Sequence, residues 1–172
     1  MKILLWLFIC VAFFDSISIY RVVNNSTHNM MELHIYTLLE FGFLMVILSN
    51  WQKTSNSRQF LKFTIPLFVL IWIVAKIYLE EPTRFDSFTS SLESAVLAGA
   101  SAFTLLGFLR ENPESLFKQP RFWVMGAILI YFSGNLVAFA LRPVIMVWSI
   151  HSVLNIVSNL CYAGGFWCLR LQ

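Results

Sequence analysis

Residues 61–79 read Leu61-Lys-Phe-Thr-Ile-Pro66-Leu-Phe-Val-Leu-Ile-Trp72-Ile-Val-Ala-Lys76-Ile-Tyr-Leu79. Within this run only Lys62 and Lys76 are charged, each near one end. A helix of about 20 apolar residues crosses a hydrocarbon core of roughly 30 Å. The run therefore predicts a transmembrane helix whose lysines snorkel toward the headgroups. Glu80 follows Lys76 at the i,i+4 spacing, so a local ion pair at the helix end accounts for both residues. Pro66 removes one backbone donor and is expected to loosen the turn around it.

Five further runs of the same kind flank this one: Ile3 to Tyr20, Leu33 to Ser49, Ser91 to Leu109, Phe122 to Leu141 and Val144 to Leu169. The expected fold is an all-α polytopic bundle of six transmembrane helices, a single domain over all 172 residues. Composition agrees, with 58% hydrophobic, 16% aromatic and 12% charged residues and a mean hydropathy of +0.72, whereas soluble domains carry about 25% charge. The lipid bilayer is thus the first expected partner. A net charge of +3 on dispersed Lys and Arg excludes nucleic acid, which needs a concentrated basic face.

Connections fall at 21–28, 50–58, 80–86 and 110–121. The fifth is only the Arg142-Pro143 corner, which makes the last two helices an antiparallel hairpin. With the N-terminus inside, Lys2, Lys53, Arg58, Lys62, Arg110, Lys118, Arg121 and Arg170 lie on the cytoplasmic side and Arg21, Lys76, Arg84 and Arg142 outside. That excess predicts both termini inside. Lys2 followed by an apolar run also fits a signal peptide, whose removal would leave five spans. Asn24-Asn25-Ser26 and Asn25-Ser26-Thr27 are overlapping sequons that read as polar turn residues. Cys10, Cys161 and Cys168, all in apolar runs, read as small buried hydrophobes rather than a disulfide framework.

Polar residues at membrane depth are costly and mark where a function would sit. On the last segment Trp148, His151, Asn155, Ser158, Asn159 and Tyr162 share one helical face, with Ile150, Val153, Leu154, Ile156, Val157 and Leu160 on the other. The second segment places Glu32, Tyr36 and Glu40 at four-residue spacing. The fifth contributes Tyr131, Gly134 and Asn135 between Ala127 and Ala138, so that another backbone can approach an embedded amide. Ser94, Ala95, Ala98, Gly99, Ser101, Ala102 and Gly107 give the fourth a small-residue surface for close packing. The candidate polar site is Tyr36, Glu40, Tyr131, Asn135, His151, Asn155 and Asn159, lined by the second, fifth and last helices, with Asp15 as a secondary candidate. Gly164-Gly165 is expected to interrupt the last helix.

No catalytic, metal or cofactor motif stands out. Glu80-Glu81-Pro82-Thr83-Arg84 with His151 and Asn155 is similar to pieces of the intramembrane CAAX-type prenyl-protease family. Its acidic piece is one residue short and contains Pro82, and the family's second histidine segment is missing. His28, His34 and His151 do not supply the three converging ligands of a ceramidase-type zinc hydrolase. The stretch Arg110 to Trp123, with Tyr131-Phe-Ser-Gly-Asn135 and His151 to Trp167, resembles uncharacterised small multi-pass membrane proteins of bacteria. That resemblance implies a bacterial inner (plasma) membrane and sensing in company with a signalling kinase. The reading is a non-enzymatic sensory or ligand-binding module acting through a membrane or cytoplasmic signalling partner. A small transporter or channel subunit and a structural subunit of a membrane complex stay open as alternatives.

Overall fold

The computed structural model describes residues 2–23, 31–80, 87–111, 116–140 and 147–170. Six α-helices occur among them: α1 (Lys2–Val23), α2 (Met31–Asn50), α3 (Ser55–Tyr78), α4 (Ser87–Glu111), α5 (Pro120–Ala140) and α6 (Val147–Arg170), with a 3₁₀ turn at Leu116–Lys118. Four stretches are long and apolar enough to cross a bilayer, Ser55–Tyr78, Phe88–Arg110, Pro120–Ala140 and Ile150–Arg170, while α1 and α2 carry the shorter apolar stretches Ile3–Phe14 and His34–Asn50. The protein is an integral membrane protein. The sequons and the Arg142-Pro143 corner lie outside the described residues.

The chain divides into two compact units, Met1–Glu93 and Ser94–Gln172, with the division inside α4. In the first, α2 packs against both α1 and α3. Its core is Leu4 and Leu7 of α1, Phe41, Leu44, Met45 and Leu48 of α2, and Leu61, Phe68 and Ala75 of α3. The α2 set recurs every three or four residues, the period of one helix face. On α3 the buried residues are seven apart, a narrow seam centred on Phe68, whose ring stacks on Phe41 at 3.9 Å. Much of the remaining α3 surface is apolar and exposed, as at Phe60 (68%) and Ile77 (66%), a surface that fits lipid rather than water. α3 begins six residues before its apolar run because Thr54 caps it, accepting the Ser57 N–H at 3.3 Å. The helix continues through Pro66.

In the second unit the contacts between α5 and α6 run in opposite senses along the two helices. Asn135 meets His151, Ser158 donates to the Ala127 carbonyl, a Cβ on Gly164 would meet Trp123, and Cys168 reaches the Phe117 carbonyl. The pair is therefore antiparallel, as the sequence predicts. A Cβ at Gly134 would overlap the Leu154 side chain, and one at Gly165 would come within 3.3 Å of the Pro120 carbonyl. Gly164 and Gly165 thus do not break α6, contrary to the expectation; they let it approach α5.

α4 also departs from its reading. Ser94, Leu97, Ser101 and Thr104 form its buried stripe, whereas Ala95, Gly99 and Gly107 are exposed. The Ser101 hydroxyl donates to the Met125 carbonyl of α5 at 2.7 Å. Other hydroxyls bond within their own helix: Thr104 to Ala100 O and Thr64 to Leu61 O, both 2.7 Å, and Ser133 to Leu129 O at 2.6 Å. The cysteines are partly exposed rather than buried.

Candidate functional site

The densest polar cluster lies in the first unit, where α2 and α4 begin and α3 ends. Lys76, in the last turn of α3, directs its ammonium to the Nδ1 of His34 on α2. It also donates to Glu80 Oε2 at 2.6 Å and to Thr89 Oγ1 at 3.2 Å. An ammonium only donates, so Nδ1 accepts and a neutral His34 imidazole holds its proton on Nε2. The His34 carbonyl accepts Trp72 Nε1–H at 3.2 Å, and Lys76 Nζ sits 5.6 Å from the centroid of the same indole.

Glu80 completes the cluster. The α3 C-terminus turns so that the Leu79 and Glu80 N–H groups both reach Ala75 O at 2.8 Å, which presents the carboxylate to the start of α4. Its Oε1 accepts the Phe88 and Thr89 backbone N–H groups at 2.8 and 3.0 Å, and Oε2 accepts the Thr89 hydroxyl at 2.8 Å. These are N–H groups that a helix cannot satisfy internally, at the positive end of its dipole. Burial alone would raise the Glu80 carboxyl, but hydrogen bonds from Lys76 and Thr89 and the Lys76 charge outweigh it and hold it below its ordinary value. The Lys76 and Glu80 side chains are only 12% and 6% exposed, and His34 and Thr89 are fully buried. The i,i+4 pair is legible in the sequence; His34 and Thr89 are the site residues that sequence reasoning missed.

The predicted site residues fall into three groups. On α2, Tyr36 donates to Glu40 Oε1 at 3.0 Å, and its ring lies 5.8 Å from that of Phe14 on α1. Both are partly buried. The side chains of Asp15 and Glu32 lie outside the described residues. Between α5 and α6, His151 Nδ1 is 3.1 Å from Asn135 Oδ1, and the Tyr131 and His151 rings are 5.6 Å apart. Asn135 is buried and accepts the imidazole N–H. Asn155 and Asn159 are exposed and bonded to each other at 3.1 Å, so they do not join the His151 group.

No family model matches the chain, and no curated protein or solved structure does so either. Function is read from the residues themselves.

Proposed function

We propose that this integral membrane protein is a non-enzymatic sensory module of a bacterial inner membrane, and that the Lys76 cluster is its responsive element. One observation carries the reading: a single buried cation bonds to groups placed at the ends of three helices. A switch needs a local charge change that biases one packing over another. Acid supplies it here at Glu80. Protonating the carboxylate removes the charge that faces Lys76 and weakens the acceptor of the Lys76, Phe88 and Thr89 bonds.

The ionisable groups bonded in the cluster are Lys76, Glu80 and His34; α4 adds the buried Glu93 one turn beyond Thr89. On α1 and α2 the acids Asp15 and Glu32 have side chains outside the described residues. A change at these helix ends would pass to a membrane or cytoplasmic signalling partner.

The test is a distance measured between spin labels at Ile35→Cys and Phe88→Cys, in lipid and with the native cysteines replaced by serine. We expect the distance to change as pH falls from neutrality to below 4.5, the ordinary value beneath which the Glu80 carboxyl is held. In Lys76→Met it should stay at its acidic value throughout. A distance indifferent to pH in the unmodified cluster would make the site a structural staple and sink the sensory reading.

A further inference from the structure

His151, Leu154, Ser158 and the Gly164-Gly165 pair of α6 meet α5, a stripe that advances by three, four and then seven residues to Gly165. Asn155 and Asn159 lie about 100 degrees around the helix from that stripe. Both are exposed, and so are Ser152 and Ala163 on the same line. They are not at a membrane surface. Asn159 falls near the middle of the 21-residue span Ile150–Arg170.

Asn159 Nδ2 donates to Asn155 Oδ1 at 3.1 Å. That bond leaves Asn155 Nδ2 and Asn159 Oδ1 without a partner among the described residues. Facing hydrocarbon, each unsatisfied polar group costs several kcal/mol, so the face requires a polar cover. Its chemistry limits what that cover is. Ser152, Asn155, Asn159 and Ala163 are all uncharged, so nothing on this line calls for an ionic partner. An amide both donates and accepts. Two identical faces related by a twofold axis therefore offer each free Nδ2 a free Oδ1, while Ser152 and Ala163 let the backbones come close.

We infer that the protein forms a homodimer through α6, the Asn155 and Asn159 amides of one copy bonding to those of a second copy inside the bilayer. The inference is independent of the sensory reading, since it concerns the other unit and another surface.

The test is oxidative cross-linking of the full chain in membranes, after replacing Cys10, Cys161 and Cys168 with serine. Ala163→Cys keeps both amides and should yield a disulfide-linked dimer. Val157→Cys, exposed and about 120 degrees around α6 from Ala163, should yield little. Adding Asn155→Leu and Asn159→Leu to Ala163→Cys should lower dimer yield by about tenfold, the scale of an interhelical amide hydrogen bond. Absence of dimer from Ala163→Cys, equal yield from Val157→Cys, or indifference to the two leucines in protein that still inserts would each overturn the inference. Should the leucine variant fail to insert, the comparison of Ala163→Cys with Val157→Cys decides alone.

Discussion

Glu80 holds Thr89 twice, taking its backbone N–H on Oε1 at 3.0 Å and its hydroxyl on Oε2 at 2.8 Å. The carboxylate thereby joins the end of α3 to the start of α4. Glu80→Ala should cost about 3 kcal/mol, because it strips a buried cation of its counter-charge and α4 of its cap together. Thr89→Val, which keeps shape and backbone but removes the hydroxyl, should cost about 1 kcal/mol. Reversible unfolding in mixed micelles would measure both.

The same carboxylate sets an acid limit. Its pKa is lower when folded than the ordinary 4.5. The stability it contributes is therefore complete above that ordinary value and is lost as pH falls through the lower folded one. Unfolding midpoints measured from neutrality into acid should drop in that window. Glu80→Ala should remove this component of the drop.

His34 gives the buried Lys76 ammonium an acceptor from another helix. His34→Leu should cost about 2 kcal/mol, because it leaves a buried charged donor short of a partner. His34→Gln, which retains an acceptor, should cost less. Equal losses for the two variants in reversible unfolding would show that packing, not the acceptor, is what His34 contributes.

Gly134 sets the approach of α5 to α6. Gly134→Ala should cost about 1 to 2 kcal/mol by overpacking against Leu154. Pairing it with Leu154→Ala should cost less than the sum of the two single changes, because the overlap disappears. A double-mutant cycle on hairpin stability reads this directly.

Much of the fold was legible because spanning a bilayer imposes a length and a composition on each helix. Helix ends were less so. α3 reaches back to Ser55 through residues too polar to be read as membrane, and Thr54 caps it there. In the site, Lys76 and Glu80 share a helix end and so announce themselves by spacing. His34 and Thr89 are 42 and 13 residues from Lys76, and only tertiary packing brings them to it. For α6 a helical wheel sets His151, Asn155, Ser158 and Asn159 on one face and Leu154 on the other. It could not say that α5 would settle on the Leu154 and Ser158 side, because a wheel ranks faces without naming their neighbours.

The hydroxyls of Thr64, Thr104 and Ser133 bear on biogenesis. Each occupies a carbonyl of its own helix, so these side chains can enter lipid before any neighbouring helix has arrived. Ser101 differs, since its partner, Met125 O, is on another helix. A newly inserted α4 must leave that hydroxyl waiting, or lend it to its own backbone, until α5 follows from the translocon. Ser101 is thus a residue on α4 at which insertion and assembly become separate events in time.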